Sequence, residues 1–402
     1  MQSELEQRLA ELRDKGLYRR LRVISGPQGP RVLLDGKPVL LLCSNNYLGL
    51  ADHPRVRGAA AQAAMRYGAG AGASRLVSGN MTIHRRLEER LAEFKGYEAC
   101  VLFGSGYLAN TGVIQALARE GEVVLSDELN HASIIDGCRL AKAERFIYKH
   151  CDLEHLEWGL RQAGGRASLI VTDSVFSMDG DIAPLEGIVE LAERYDCRVM
   201  VDEAHATGAI GPGGRGAVAA AGVEDAVDVL VGTLGKALGS YGAYVCVNRT
   251  LAKYLVNTAR TLIFSTALPP PTVAAALAAL ELLEQRPERV ERLQRNARVL
   301  RKALAEHGIA VRSETQILPL VVGPAEAATA ACERALERGV FAQAIRPPTV
   351  PPGTSRLRLT VMASHTEAEL RDAARVLAQA VRGAQAEADP SQLDESRAAL
   401  VA

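Results

Sequence analysis

Apolar residues recur along the chain with two spacings, one typical of helices and the other of strands. Leu5, Leu9 and Leu12 follow the helical spacing and predict a short amphipathic helix near the N-terminus. Apolar runs at 32–34 and 39–42 flank Asp35-Gly36, a dipeptide that favours a tight turn, and therefore predict a β-hairpin. The chain is thus expected to open with a helix and a hairpin.

From residue 99 onward, short apolar runs alternate with longer segments of helical periodicity. Six strands are predicted, at residues 99–103, 122–125, 169–172, 198–201, 227–231 and 242–247. Strands separated by helix-length segments are typical of βαβ units, which place neighbouring strands parallel in one sheet. The pattern therefore predicts an α/β fold with a mostly parallel central sheet flanked by helices.

A smaller region follows Pro269-Pro270-Pro271, because proline ends one segment and can open the next helix. A charged helix is predicted around 284–307, and Thr366 with Glu369 forms the Thr-x-x-Glu capping box of a last helix. Two strands, at 316–322 and 356–361, lie between these helices. The predicted organisation is an N-terminal helix and hairpin segment (1–45), a large α/β domain (46–271), a small C-terminal α+β domain (272–385) and a loose tail (386–402).

Charge and composition limit the possible partners. The 402 residues include 47 basic and 47 acidic side chains and only 4% aromatic residues. A chain without net charge offers no general attraction to nucleic acid or to an anionic membrane, and few aromatics are present to stack on bases. We therefore expect no nucleic-acid partner and no membrane partner.

The cysteines and the N-terminus indicate a compartment. None of the seven cysteines forms a CxxC pair, and several lie in apolar runs, as reduced buried thiols do. The N-terminus is charged from Glu4 and lacks the apolar segment of a signal peptide. No uncharged apolar stretch approaches the roughly 18 residues of a membrane helix. These features predict a cytoplasmic protein.

Several well-known catalytic motifs fail on sequence or on context. Gly235-Lys236 is not a phosphate-binding P-loop, since Leu230 and Ala237 occupy positions that require glycine and a hydroxyl residue. The glycines of 68–72 follow a helical segment instead of a strand, so a dinucleotide-binding fingerprint is excluded as well. The sequence also contains neither a Gly-x-Ser-x-Gly elbow nor a His-Glu-x-x-His zinc helix. An ATPase, a serine hydrolase and a zinc protease are thereby disfavoured.

Four other segments place polar side chains after predicted strands. Gly104-Ser-Gly-Tyr107 could bind an anion at a helix N-terminus, and His131 follows the next strand. Asp202 and His205 come just past a buried strand, and Lys236 lies among apolar neighbours that would leave its amine nucleophilic. Each segment alone also fits a structural role: a simple turn, a surface histidine, a helix cap or a solvated loop lysine. Together, however, they supply the amine, carboxylate and phosphate cup that pyridoxal 5'-phosphate requires.

Longer motifs resemble those of the α-oxoamine synthases, a pyridoxal-phosphate family of fold type I, over roughly residues 1–385. The matching segments are Ser44-Asn-Asn-Tyr-Leu-Gly-Leu50, Phe176-Ser-Met-Asp-Gly-Asp181, Asp202-Glu-Ala-His-Ala-Thr-Gly208 and Thr233-Leu-Gly-Lys236. The resemblance implies a PLP-dependent acyltransferase with a large domain, a small domain and active sites shared within a homodimer.

The resemblance also implies a role for each matching residue. Lys236 is expected to bind the cofactor aldehyde, Asp202 to face the pyridinium nitrogen, His205 to face the ring oxygen and His131 to stack on the ring. Further cofactor contacts are expected from Gly106, Tyr107, Ser177, Thr233 and, across the subunit interface, Thr266. Substrate contacts are expected from Arg19, Asn45, His131, Arg346, Thr349 and Arg358. For Arg19, a surface arginine on a helix is an equally good interpretation.

One segment favours a branch of the family. Arg346-Pro-Pro-Thr-Val-Pro351, followed by 353–360, is most similar to the members that condense L-alanine with a pimeloyl thioester in biotin synthesis. Condensation of glycine or serine with another acyl-CoA is the alternative, and a catalytically silent partner subunit is a third reading that the presence of Lys236 disfavours. The sequence leaves open whether coenzyme A or an acyl carrier protein carries the acyl group.

Overall fold

The computed structural model describes residues 2–388, which divide into two compact units. One unit contains residues 46–177 and 181–291, and we call it the sheet unit. The other, the terminal unit, contains the described residues up to 45, residues 178–180 and the described residues from 292 onward. The predicted limits of the four segments stay a prediction.

The described residues form fourteen strands and fourteen α-helices. The strands are β1 (Ile24–Ser25), β2 (Arg31–Leu34), β3 (Lys37–Leu41), β4 (Ala99–Phe103), β5 (Val123–Asp127), β6 (Glu144–Tyr148), β7 (Ala167–Asp173), β8 (Arg198–Asp202), β9 (Val229–Thr233), β10 (Ala243–Val247), β11 (Ile317–Gly323), β12 (Val340–Phe341), β13 (Gln343–Ile345) and β14 (Ser355–Thr360). The helices are α1 (Gln2–Asp14), α2 (Pro54–Tyr67), α3 (Thr82–Lys95), α4 (Gly106–Leu117), α5 (Ala132–Leu140), α6 (Leu153–Ala163), α7 (Leu185–Arg194), α8 (Ala217–Ala221), α9 (Arg249–Thr258), α10 (Arg260–Ile263), α11 (Pro270–Gln285), α12 (Glu288–Glu306), α13 (Ala325–Glu337) and α14 (Glu367–Ala388).

The sheet unit is built on a seven-stranded sheet with the order β4-β10-β9-β8-β7-β5-β6. Strands β9, β8, β7, β5 and β6 run parallel, whereas β10 is antiparallel to both of its neighbours. The predicted mostly parallel sheet is therefore confirmed. The prediction missed β6, because its apolar run is only the three residues Phe146-Ile147-Tyr148 and Tyr148 alone in this edge strand is buried.

Close packing of α4 and α5 on this sheet forms the core beside the strand ends. Val113 and Ile134 have no exposed surface, and burying a side chain of this size contributes roughly 1.5–3 kcal/mol. Gly137 allows the close approach of the two helices, since a β-carbon there would lie 2.8 Å from Ile114 and 3.2 Å from the Asn110 carbonyl oxygen. The polar side chains at the start of α5 are thereby held against α4.

In the terminal unit, the predicted hairpin is confirmed as the antiparallel pair β2 and β3. Strands β11, β14 and β13 form a separate antiparallel sheet. The capping box is also confirmed: the Thr366 amide donates to Glu369, and the Glu369 amide donates to the Thr366 hydroxyl at 3.3 Å.

Two helix boundaries differ from the prediction. The charged helix begins only at Glu288, because Pro287 separates α11 from α12. The last helix continues to Ala388, so the start of the predicted tail is helical. Ala and Glu are good helix formers even where no apolar stripe is present. The remainder of that tail, 389–402, lies outside the described residues. Within 2–388, no helix is both long enough and apolar enough to traverse a lipid bilayer.

Candidate active site

The candidate site lies where four parallel strands of the sheet unit end. β5 leads into His131, β7 ends at Asp173, β8 ends at Asp202 and β9 ends at Thr233. Because the carboxyl ends of parallel strands share one edge of the sheet, their side chains converge there, as in other open α/β proteins. The sequence prediction of a site at this edge thus agrees with the fold.

Lys236 contacts His205 directly. Its Nζ lies 2.8 Å from Nε2 of His205, and the hydroxyl of Tyr47 lies 2.7 Å from Nδ1 of the same ring. When Lys236 is an ammonium, it donates a hydrogen bond to Nε2 of His205. In a neutral ring Nδ1 then carries the proton and donates to the Tyr47 hydroxyl. Gly208 lets the loop after β8 approach this lysine, since its φ is +75° and a β-carbon would lie 2.6 Å from that of Ala237. The amine and the imidazole are therefore positioned by the fold.

The carboxylate of Asp202 is buried and oriented by two donors. Asn110 donates from Nδ2 to Oδ2 at 2.7 Å, and the amide of Ala204 donates to Oδ1 at 2.8 Å. Asp202 itself has only 4% of its surface exposed. A carboxylate held in this way can accept a further hydrogen bond from a cationic ring nitrogen at a fixed position.

His131 is linked to Asp202 through two neutral side chains. Asn110 Nδ2 also donates to the Ser133 hydroxyl at 2.9 Å, so this hydroxyl donates onward to Nδ1 of His131 at 2.7 Å. Desolvation and the charge of Lys236 lower the pKa of His131, against an opposing effect of Asp202. The ring is therefore neutral near pH 7, with its proton on Nε2.

A buried carboxylate at the end of β7 orients the backbone of this histidine. Asp173 Oδ2 accepts from the His131 amide at 2.7 Å. Burial, followed by repulsion from Asp202, raises the pKa of Asp173 well above its usual range. The backbone of His131 is thus fixed from β7, while its ring is fixed from α5.

The N-terminus of α4 follows directly on β4. The Ser105 hydroxyl caps this helix by accepting from the Leu108 amide at 3.2 Å, and Gly106 is the first helical residue. A β-carbon on Gly106 would meet no protein atom within 4 Å. The Tyr107 hydroxyl donates to Asp136 on α5. Amides at a helix start favour an anion, so this end of α4 can bind a phosphate group.

The other three cofactor residues predicted from sequence have different settings. The Thr233 hydroxyl donates to the Gly242 carbonyl at 3.1 Å and accepts from the Gly235 amide, so it shapes the turn before Lys236. Ser177 is half-buried after β7. Thr266 is exposed and pairs with Ser74 in an isolated bridge.

The predicted substrate residues other than His131 all belong to the terminal unit and form two groups. Arg19, Arg346 and Thr349 line one cavity of about 510 Å³. Arg358, which is buried, donates to Asn45 Oδ1 at 3.3 Å. Arg19 does not lie on a helix, because α1 ends at Asp14, but it is exposed, as a surface arginine would be. Its guanidinium donates to the Pro347 carbonyl at 3.4 Å.

Sequence reasoning assigned no role to three residues that organise this site. Tyr47 contacts His205, and Asn110 and Ser133 connect Asp202 with His131. A signal existed for Asn110, since Asn110-Thr111 interrupts an otherwise apolar helix that packs on the sheet. Which polar atoms these residues meet depends on the packing of α4 and α5, which no local pattern contains.

The donor set of the sheet unit fits pyridoxal phosphate. The cofactor needs an amine for its aldehyde, a carboxylate for its ring nitrogen and a site for its phosphate. Lys236, the buried Asp202 and the N-terminus of α4 supply groups of these three kinds along one edge of the sheet.

Comparisons with known proteins agree with this chemistry. The family model for class I and II aminotransferases matches residues 37–377. The 8-amino-7-oxononanoate synthase of Citrifermentans bemidjiense is 53% identical over 92% of this chain and 96% of that protein. The one from Geobacter sulfurreducens is 52% identical over the same shares.

Solved structures similar to this chain lead to the same family assignment. A serine palmitoyltransferase variant from S. paucimobilis with a bound PLP–myriocin aldimine has a TM-score of 0.90 at 33% identity, covering 95% of this chain and 97% of that one. The 8-amino-7-oxononanoate synthase of Francisella tularensis has a TM-score of 0.75 at 28% identity, covering 86% and 98%. The predicted fold type I and the resemblance to the α-oxoamine synthases are thereby confirmed. The chain belongs to the class I and II aminotransferase family.

Proposed function

We propose that this protein is a PLP-dependent acyltransferase that condenses L-alanine with a pimeloyl thioester. The products are 8-amino-7-oxononanoate, carbon dioxide and the free thiol carrier, as required in biotin synthesis. The observation that carries the substrate assignment is an identity above 50% to curated 8-amino-7-oxononanoate synthases over nearly the whole chain. The contacts among Lys236, His205 and Tyr47 support the cofactor assignment.

Each cofactor residue has a task that its surroundings favour. When bound, pyridoxal phosphate supplies an electron-withdrawing ring that stabilises negative charge on the amino-acid α-carbon. The buried carboxylate of Asp202 keeps a proton on the ring nitrogen, and α4 binds the phosphate. Nζ of Lys236 removes the α-proton of alanine, and His205 orients this amine.

The two arginine groups divide the substrate between them. Arg358, beside Asn45, offers a planar guanidinium that can bind the alanine carboxylate through two hydrogen bonds. The cavity of Arg19, Arg346 and Thr349 receives the acyl thioester. Such an arrangement holds the bond to be broken in one orientation while the acyl group approaches.

We further propose a homodimer that works in the cytoplasm. The Ser74–Thr266 bridge joins two segments, 74–77 and 264–266, that expose the apolar side chains of Val77 (80%) and Phe264 (71%). A second copy covering these two segments would bring Thr266 to its partner's phosphate site. All seven cysteines are free thiols, which suits a reducing compartment. Sedimentation velocity checks the dimer, and a monomer at micromolar concentration would contradict it.

The alternative is a sibling activity that uses serine or glycine. It is favoured by the higher TM-score of the serine palmitoyltransferase structure than of the Francisella synthase structure. Identity above 50% to the curated synthases outweighs this, since the serine palmitoyltransferase is only 33% identical.

A substrate panel decides between these activities. Alanine, glycine and serine are each paired with pimeloyl-CoA, pimeloyl carrier protein, acetyl-CoA and palmitoyl-CoA, and carbon dioxide release is measured. We expect alanine with a pimeloyl thioester to exceed every other pair by at least about tenfold, because each mismatched group in a pocket loses 1–3 kcal/mol. Turnover of glycine with acetyl-CoA alone would overturn the proposal. Absence of any turnover would favour the silent-subunit reading.

A further inference from the structure

A histidine outside all the motifs discussed so far is held between two carboxylates. Nδ1 of His150 lies 3.0 Å from Oδ1 of Asp127, and Nε2 lies 2.6 Å from Oδ2 of Asp181. Asp127 is the last residue of β5, and its side chain is 1% exposed. Both carboxylates belong to the sheet unit, as does the histidine.

The geometry favours the charged form of this ring. A neutral imidazole carries one N–H and would leave the other nitrogen facing a carboxylate oxygen with no proton between them. Burial acts to lower the pKa of His150, but hydrogen bonds to Asp127 and Asp181 outweigh it and raise the pKa to about 12. His150 is therefore an imidazolium that donates to both acids.

On one side, this imidazolium fixes the turn that carries His131. Asp127 also accepts from the amides of Leu129 and Cys151, both at 2.9 Å. Asn130, which directly precedes His131, accepts from the Asp173 amide at 2.8 Å. The position of His131 is thus set by a turn whose first carboxylate is held by His150.

On the other side, His150 fixes the base of the loop that carries Ser177. The Phe176 amide donates to the Asp181 carbonyl at 3.1 Å, and Val175 pairs with Ile182 just outside. The ring of Phe176 meets that of His150 edge to face, with centroids 4.4 Å apart. The side chain of His150 therefore ties the base of the loop to the end of β5.

We propose that His150 is a positioning residue for cofactor binding: its imidazolium clamps the turn of His131 to the loop of Ser177. This inference rests on the proposed function, because the cofactor contacts expected of His131 and Ser177 are implied by the same family resemblance. His150 touches neither the substrates nor the cofactor in this scheme. Its effect is to fix how far apart the two loops stand before the cofactor enters.

A bound metal is the competing explanation of the same cluster. Ligand atoms of Asp127, His150 and Cys151 lie within 4.8 Å of one another, a spacing that a cation could bridge. A metal would, however, need to displace a proton that two carboxylates stabilise. The clamp therefore predicts that chelators leave the protein unchanged.

The test compares His150→Phe with the matched control His155→Phe. His155 lies five residues further along and accepts from the Lys149 amide at 2.9 Å, but no hydrogen bond joins it to either carboxylate. In the cofactor-free protein, hydrogen exchange followed by mass spectrometry should show residues 176–182 exchanging at least about tenfold faster in His150→Phe only. With PLP added, its dissociation constant should rise about tenfold and its circular dichroism should change.

A double variant separates positioning from loss of stability. His150→Phe leaves Asp127 buried without its counter-charge, whereas Asp127→Asn/His150→Phe removes that charge. The double variant should regain only part of the lost thermal stability, because an Asn side chain has one acceptor oxygen for the two amides that Asp127 binds, and it should keep the weakened PLP binding. Exchange that accelerates throughout the sheet, or PLP binding that recovers together with stability, would overturn the clamp. The clamp would also be overturned if a chelator lowered the affinity for PLP and added zinc restored it. None of these outcomes depends on which amino acid or thioester is turned over, so a failure of the proposed function is seen separately in the substrate panel.

Discussion

The cofactor side and the substrate side of this protein are built differently. In the sheet unit, Asp202 and His205 are buried at strand ends, and their polar atoms are fixed by hydrogen bonds to neighbouring side chains. In the terminal unit, Arg19 and Arg346 line an open cavity and donate mainly to backbone carbonyl groups of loops. The proposed reaction centre therefore rests on the sheet, whereas Arg19 and Arg346 rest on loop segments that can vary without disturbing it. Arg358, which is buried on β14, is the exception among the proposed substrate residues.

The largest effect is expected from removing the amine of the cofactor side. Lys236→Ala should abolish the yellow absorbance of the lysine-bound cofactor and lower turnover by at least about 1000-fold, because the nucleophile and the general base are lost together. Absorbance spectra and carbon dioxide release measure both effects. Lys253→Ala, at an exposed lysine, is the control. An active Lys236→Ala enzyme would contradict the whole assignment of the sheet unit.

A second variant tests whether the rigidity of the cofactor side comes from buried charge. Lys95 and Glu203 form an ion pair with both side chains at most 1% exposed, and Lys95 also donates to Thr207 at 2.8 Å. Lys95→Met should lower the free energy of unfolding by about 3–5 kcal/mol, because Glu203 then stays buried without a partner. Urea unfolding measures the loss.

The matching double variant indicates the origin of that loss. Lys95→Met/Glu203→Met removes both charges and should regain most of the stability. If the double variant is as unstable as the single one, packing around Lys95, and not its charge, stabilises the loop after β8.

The same contrast explains how much of the candidate site could be predicted from the sequence. Asp202, His205 and Lys236 could be predicted because each lies within five residues after a strand. The apolar runs at 198–201 and 227–231 predict these strands. Asn110 received no role because its contact with Asp202 arises from the packing of α4. The two residues are 92 positions apart in the sequence, so no local pattern links them. Loop positions have no periodic signal at all, so the cavity around Arg346 could be anticipated only by resemblance.

A pH experiment addresses stability on the substrate side. His365 is buried, accepts from the Met362 amide at 2.9 Å and lies 3.1 Å from the Leu41 carbonyl, which fits a neutral ring. Desolvation lowers its pKa to about 4. The unfolded chain binds this proton near pH 6.5, so stability should fall as the pH drops from 6.5 towards 4, by about 2 kcal/mol between pH 7 and pH 5.

His365→Gln removes this titration while keeping a donor and an acceptor. Its free energy of unfolding should change less than that of the unmodified protein over the same pH interval, as measured by urea titrations at pH 7 and pH 5. An equal change in both proteins would show that other groups cause the acid sensitivity.

The smallest effect, and the most informative about substrate choice, is expected at Arg358. Lysine keeps the charge but not the planar fork, so Arg358→Lys should raise the KM for alanine about tenfold, which is about 1.4 kcal/mol, with a smaller change in kcat. The cofactor absorbance should be unchanged, because the residues proposed to hold the cofactor lie in the sheet unit. Arg375→Lys, at an exposed position on α14, is the control. A fall in kcat with unchanged KM would instead mean that this arginine acts on the transition state, and the division of labour between the two units would then be wrong.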